Sequence, residues 1–191
     1  VFMMRAIEGE ELEGFRSAML ELSKPIDLGD IKAIDMCGTG GDGKNTFNIS
    51  TTASFIVAAA GIKVAKHGNY GVSSGVGSSN VIEHLGYSFK GDEFALKSEI
   101  ENVGITFLHA PLFHPAMRFV APIRKELGLK TFFNMIGPLV NPSKPNFQLT
   151  GVYDPSILPL YDHVLKNSLE RYAILHSEDV YDEISLTSDF H

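Results

Sequence analysis

Residues 37–51 read C-G-T-G-G-D-G-K-N-T-F-N-I-S-T, and Gly38, Gly40, Gly41 and Gly43 place four residues without a Cβ within six positions. Such a run lets successive backbone N–H groups turn inward and approach one anion closely. An apolar stretch (31–36) precedes it and a helix-like stretch (49–60) follows. The loop therefore feeds a helix N-terminus, whose orphan amides and positive dipole end favour the same anion. Thr46, Asn48, Ser50 and Thr51 add short polar side chains at that N-terminus. The chemistry implied is the grip of a polyphosphate. A glycine cluster alone is equally consistent with an ordinary βα turn capped by Asn or Ser; the polar series behind it favours the anion.

Neither common glycine loop fits. A nucleotide P-loop requires G-x-x-x-x-G-K-[ST], and Lys44 is followed by Asn45. The dinucleotide spacing G-x-G-x-x-G is met by Gly38, Gly40 and Gly43, but no acidic residue ends a second strand about 20 residues on. Lys66-His67 stands there instead, and a cation suits a second phosphate better than a ribose diol.

Four further constellations could do chemistry. Lys66-His67-Gly68-Asn69, followed by Ser73-Ser74-Gly75 and Gly77-Ser78-Ser79, sets a cation at a strand end before glycines and hydroxyls. That pattern makes a second anion cradle, although by itself it reads equally as a solvated loop with a Ser cap. His114-Pro115-Ala116-Met117 and Pro122-Ile123-Arg124 could bring an imidazole and a guanidinium to one place, where the Arg fork fits a carboxylate; an isolated Arg is usually just an exposed charge. The 137–142 stretch, G-P-L-V-N-P, reads as a shaped turn whose backbone could wall a pocket. Asp182-Glu183 offers adjacent carboxylates. Mg²⁺ takes oxygen ligands, commonly one or two carboxylates plus substrate phosphates, whereas an acidic pair with no phosphate site nearby is simply solvated.

The elements that must position these groups alternate strand and helix. Apolar spacing predicts helices over 10–22, 50–60, 78–85, 92–102, 115–127 and 158–169, and strands over 31–36, 63–66, 105–109, 148–153 and 172–175. Helix 50–60 is small and apolar on most faces, which predicts burial. Pro25 follows the first helix, Asp92 can N-cap the fourth, and Gly86, Gly104 and Gly128 are placed to stop helices. Pro115 suits a first helical turn. Strands separated by helices imply an α/β fold with a mostly parallel sheet.

The chain has 191 residues, 44% of them apolar and 20% charged, which is a globular and not a disordered composition. A net charge of −7 argues against a general nucleic-acid binder. The single cysteine, Cys37, excludes an internal disulfide framework and suits a reducing compartment. No apolar run reaches the roughly 18 residues of a membrane span, and no secretory leader is evident.

Taken together, G-T-G-G-D-x-x-x-T-F-N-I-S-T, then K-H-G-N…S-S…G-S, then H-P-A-M…P-I-R-K-E-L-G-L-K-T-F-F-N…G-P-L-x-N-P, then D-E, resemble the anthranilate phosphoribosyltransferase family of tryptophan biosynthesis. The resemblance runs from about residue 10 to 187, and the order of motifs is far more specific than any one of them. Family members are longer at both ends, so the resemblance implies a chain lacking the first helices and a large C-terminal part, with an exposed sheet edge. It implies a discontinuous helical domain (1–24 and about 112–135), an α/β domain (about 30–110 and 140–191), and a cytoplasmic homodimer joined through the helical parts.

The resemblance also implies the site. Phosphoribosyl diphosphate would meet Gly38, Gly41, Asp42, Thr46, Asn48, Ile49, Ser50, Thr51, Lys66, His67, Gly68, Asn69, Ser73, Ser74 and Ser78. Anthranilate would meet Gly38, Asn69, His114 and Arg124, with Arg124 facing its carboxylate. Mg²⁺ would be held by Ser50, Asp182 and Glu183. No residue is assigned as acid or base, because an aniline nitrogen is already neutral at pH 7. Tyr70, where most relatives carry Arg, and Gly75-Val76-Gly77, which lacks a common Lys-Ser pair, predict altered contacts and not a different reaction. A pyrimidine nucleoside phosphorylase and a nucleic-acid-binding relative are the alternatives; the second lacks the G-T-G-G-D loop, and the H-P-A-M segment argues against the first.

Overall fold

The computed structural model describes residues 5–40, 43–44, 46–71, 75–127 and 131–191, with the backbone alone for Arg124, Lys125 and Leu127. In chain order the elements are α1 (Gly9–Glu21), β1 (Ile34–Met36), α2 (Ile49–Ala59), β2 (Val64–Gly68), α3 (Ser78–His84), α4 (Glu93–Val103), β3 (Ile105–His109), α5 (Ala110–Phe113), α6 (Ala121–Leu127), α7 (Phe133–Ile136), β4 (Phe147–Gly151), α8 (Leu158–Leu165) and β5 (Arg171–Leu175). Short 3₁₀ turns occupy Pro115–Phe119, Gly137–Leu139 and Pro155–Ile157.

The five strands form one sheet in the order β3-β2-β1-β4-β5, and every adjacent pair is parallel. All five residues of β3 and the first four of β2 are buried. Continuous burial, not alternation, is what a parallel sheet covered on both faces demands. Ala65 and Leu108 meet Leu96 and Ile100 of α4 in one buried cluster, while Val64, Ile105 and Phe107 meet Ile82 of α3 and the half-buried Val57 and Ala58 of α2 in another. A third core joins Leu12 of α1, Met135 and Leu139 of the connector, and Tyr161, Val164 and Leu165 of α8.

Local signals explain where elements stop. Asp92 caps α4 by accepting from the Ala95 amide at 2.9 Å, and Gly104 ends it in the left-handed region at φ 91°, where a side chain would be strained. Two expectations change. The single helix over 115–127 is a 3₁₀ turn followed by α6, because Pro122 lacks the amide that would bond back across the break to residue 118. Helix α2 is not buried on most faces: Thr51 and Ser54 are, whereas Phe55 and Ile56 are 41% and 66% exposed. Its buried side carries small polar residues beside the half-buried Val57 and Ala58.

The chain runs outward from β1 to β2 and β3, then returns across the sheet to β4 on the other side of β1. The strand order therefore reverses between β1 and β4. In open α/β sheets this switch point, beyond the carboxyl ends of the strands, is where ligands bind. The glycine loop leaves β1 at that place.

Candidate active site

Beyond β1 and β4 three segments converge. The Thr39 amide donates to the Gly151 carbonyl at 2.9 Å, the Thr39 hydroxyl accepts from the Tyr153 amide at 3.1 Å, and the Thr150 hydroxyl donates to the Cys37 carbonyl at 2.5 Å. The Gly40 amide then donates to Oδ2 of Asp182 at 2.9 Å. A buried carboxylate from residue 182 thus lies against the first glycine loop. Backbone proximity makes this possible: a Cβ on Gly151 would stand 1.4 Å from the Asp182 carbonyl oxygen, and one on Gly38 would stand 3.2 Å from its carboxylate. Glu183 is half-buried beside it, its carbonyl accepting from the Ser177 hydroxyl at 2.5 Å.

The cation comes from β2. Lys66 is 1% exposed, and its ammonium donates to the Met36 carbonyl at 2.5 Å and to the Ser50 hydroxyl at 3.4 Å. The Lys66 charge therefore bridges the end of β1 and the first turn of α2. Thr51, in the same turn, has a buried hydroxyl oxygen without a hydrogen-bond partner among the described residues. Asn48 precedes α2 as its cap residue, with no side-chain capping bond, and Ile49 is the first helical residue. Thr46 is exposed on the approach. Gly41 and Asp42 lie outside the described residues.

The second loop is pinned at its neck. The Asn69 carbonyl accepts from the Ser79 amide at 3.1 Å and the Ser78 hydroxyl at 3.4 Å. Asn80 Oδ1 accepts from the amides of Gly71 and Gly77, at 3.1 and 2.9 Å. The Ser78 hydroxyl sits so close over Gly68 that a Cβ there would come within 2.3 Å. Ser73 and Ser74 lie outside the described residues. Tyr70 packs edge-on against His109 with ring centroids 4.8 Å apart, and His109 in turn stacks on Phe89 and pairs with the Ser79 hydroxyl at 2.8 Å. The ring at position 70 thus serves as packing on the end of β3.

His67 does not point into the anion loop. Its Nδ1 donates to the Gly137 carbonyl at 3.2 Å, its ring lies 5.3 Å from that of His114, and both residues are buried. Burial pushes His67 down to about 3, aided by His114, and lowers His114 as well, partly offset by the Val140 carbonyl, which lies near without a well-formed bond. Both imidazoles are neutral walls at pH 7. Of Arg124 only the backbone, in α6, is described.

Sequence reasoning missed the residues that hold this arrangement. Asp35 is fully buried on β1 and accepts from the His67 amide at 3.0 Å and the Asn141 side chain at 2.9 Å. The 137–142 stretch, expected as a turn, is a hub: its carbonyls receive His67, Gln148, Arg16 and the Ile26 amide. The signals were an acid inside an apolar strand and an Asn between two prolines. A cleft of about 440 Å³ lies elsewhere, between α1, residues 138–145 and the end of α8, away from the glycine loops.

Comparison with known proteins places the chain in a family. Residues 30–191 match the family described as "Glycosyl transferase family, a/b domain". The chain belongs to that family. It is 62% identical over 189 residues to the anthranilate phosphoribosyltransferase of Flavobacterium psychrophilum, covering 99% of this chain and 57% of that protein. The crystal structure of the Thermus thermophilus anthranilate phosphoribosyltransferase superposes with a TM-score of 0.88 at 39% identity, covering 96% of this chain and 56% of that one. The Saccharomyces cerevisiae enzyme in complex with PRPP and Mg superposes at 0.83 with 33% identity, covering 93% and 50%. The chain thus spans 57% of the length of the curated relative. The parallel α/β fold and the family resemblance read from the motifs are both borne out.

Proposed function

We propose that this chain carries the donor site, and part of the acceptor site, of an anthranilate phosphoribosyltransferase. That enzyme moves the 5-phosphoribosyl group from 5-phosphoribosyl 1-diphosphate to the amine of anthranilate and releases diphosphate. The observation that carries the reading is the buried Lys66 ammonium, set between the Met36 carbonyl and the Ser50 hydroxyl at the mouth of the first glycine loop. Names and bound ligands of the relatives support it.

The diphosphate would lie against Gly38, Gly41 and the first turn of α2, with Thr46, Asn48, Ser50 and Thr51 donating. Lys66 supplies charge, and Gly68, Asn69 and Ser78, with Ser73 and Ser74, hold the remaining phosphate and sugar. As the C1–O bond breaks, negative charge grows on the departing diphosphate, and donors already fixed in a dry site stabilise it without reorganising. The amine nitrogen forms the new bond to C1 and afterwards sheds its proton to solvent. It needs placement more than deprotonation, and His114, Asn69 and Arg124 would provide that, with Arg124 on the carboxylate.

Magnesium fits the donor set. Asp182 is a buried carboxylate oxygen donor directly at the phosphate loop, and this ion binds through one or two carboxylates together with substrate phosphates. Among the described residues no group of three His, Cys, Asp or Glu gathers at one point, so the ligand set would be Asp182, Glu183 and Ser50 with the phosphates. When bound, the ion neutralises developing diphosphate charge.

The helical parts (1–24 and about 112–135) would form a separate domain against the α/β part (30–110 and 140–191) and pair two copies in the cytoplasm. Among the described residues no helix is long and apolar enough to cross a membrane. The test is titration of the chain with 5-phosphoribosyl 1-diphosphate and Mg²⁺, followed by anthranilate consumption read by its fluorescence. Saturation by a nucleoside and inorganic phosphate instead would establish a phosphorylase.

A further inference from the structure

Strands β1 and β2 share a single register position, Ile34 opposite Val64. Past it no further register pair forms, and the Lys66 ammonium donates to the Met36 carbonyl. There the Asp35 side chain, and not a strand carbonyl, takes the next β2 amide. Its Oδ1 takes the His67 amide at 3.0 Å, and its Oδ2 takes the Asn141 amide at 2.9 Å. The same Asn141 nitrogen donates to the Ala65 carbonyl at 2.9 Å, while its oxygen accepts from the Ser143 amide and hydroxyl at 2.9 and 2.8 Å. One carboxylate therefore joins β1, the end of β2 on both sides of Lys66, and the connector that receives the His67 ring.

A fully buried acid is a costly way to fill space, since desolvating a carboxylate outweighs what packing alone returns. Burial pushes Asp35 up to about 6, and the nearby Lys66 charge holds it from rising further. What the carboxylate supplies, and an apolar residue could not, is two acceptors at fixed angles. We propose that Asp35 is a positioning residue for the diphosphate site: braced by Asn141, it holds the end of β2 so that Lys66 aims at the glycine loop. This deepens, and rests on, the donor site assigned above.

The test compares wild type, Asp35→Asn and Asn141→Ala by calorimetric titration with Mg²⁺ and inorganic diphosphate, well below each melting temperature. Asn at position 35 sets a donor against the Asn141 donor; Ala at 141 removes the brace and leaves the carboxylate. Both are expected to raise Kd tenfold or more. A dissociation constant reports folded molecules only, so a residue that merely stabilised the fold would leave Kd at the wild-type value in both variants, and that result overturns the proposal. A wild-type chain that binds no diphosphate sinks the donor-site reading instead. Should Asp35→Asn not fold, the wild type still decides: the His67 amide resonance is expected to move on saturation together with those of Ser50 and Thr51. If Ser50 and Thr51 respond while His67 stays fixed, the brace is not part of the site.

Discussion

The carboxylate of Asp182 accepts from the amide of Gly40 at 2.9 Å, across 142 positions of the chain. Two absent side chains permit this: neither Gly151 nor Gly38 could carry a Cβ without pushing residue 182 away. The carboxyl ends of β1 and β4 are thereby fixed to each other and to the only acid that the described structure sets on the first glycine loop. The phosphate loop is thus shaped by a residue far from it in sequence.

Gly151→Ala tests that dependence. A methyl group 1.4 Å from a backbone oxygen cannot be absorbed by a rotamer change, so the 176–183 segment must shift. Overpacking of this kind costs about 1–3 kcal/mol, or roughly 2–12 °C in melting temperature for a chain of this size. Calorimetry should show that loss, and Mg²⁺-dependent donor binding should fall with it. A variant that melts and binds like wild type would show that the segment has slack.

Lys66→Met removes the ammonium and keeps the bulk. A hydrogen bond from a charged donor contributes about 1.5–3 kcal/mol, so the dissociation constant for 5-phosphoribosyl 1-diphosphate should rise about 10- to 150-fold. Saturation with anthranilate should change little. The measurement is isothermal titration with each ligand separately, and equal losses on both would remove Lys66 from the donor half.

Much of this was legible beforehand because local rules governed it. Asp92 and Gly104 delimit α4 by capping chemistry, β3 falls on 105–109 as expected, and the glycine loop lies at a strand end as its spacing demanded. The residues that escaped notice act over long sequence distances. Asp35 reads as one polar interruption of a strand, Asn141 as one turn residue and Gly151 as one strand-end glycine; their meaning exists only once β1, β2 and β4 are adjacent. The family resemblance set His67 among the phosphoribosyl diphosphate contacts beside Lys66. The alternation of side chains along a strand sends neighbours to opposite faces, and its ring meets Gly137 and His114 instead.

Arg124→Ala addresses the acceptor half. Loss of a bidentate guanidinium–carboxylate contact removes orientation as well as charge. In steady-state kinetics KM for anthranilate should rise at least tenfold, with KM for the sugar donor nearly unchanged. Matching changes in both constants would assign Arg124 to the fold and not to the carboxylate.

Asp182→Asn combined with Glu183→Gln addresses the metal. Both changes keep size and remove charge, so folding should survive while the Mg²⁺ concentration needed for half-maximal turnover rises at least tenfold. Undiminished activity at low Mg²⁺ would exclude the pair as ligands.

The buried pair His67 and Asp35 makes a prediction about acid stability. His67 is depressed from 6.5 to about 3 in the folded chain, so between those values the unfolded chain binds a proton that the folded chain refuses. That term removes stability as pH falls. Asp35 is raised from 3.8 to about 6, so in the window from about 6 to about 4 the folded chain binds a proton that the unfolded chain lacks, and this term adds stability as pH falls. At pH 5 the two proton counts cancel, and the pair leaves wild-type stability nearly flat there. Asp35→Asn deletes the compensating proton and leaves the His67 effect bare. One uncompensated proton corresponds to about 1.4 kcal/mol per pH unit. Urea unfolding from pH 6 to pH 4 should therefore show Asp35→Asn losing stability more steeply than wild type by about that slope. Parallel curves for the two proteins would mean that burial does not raise Asp35 in the folded chain.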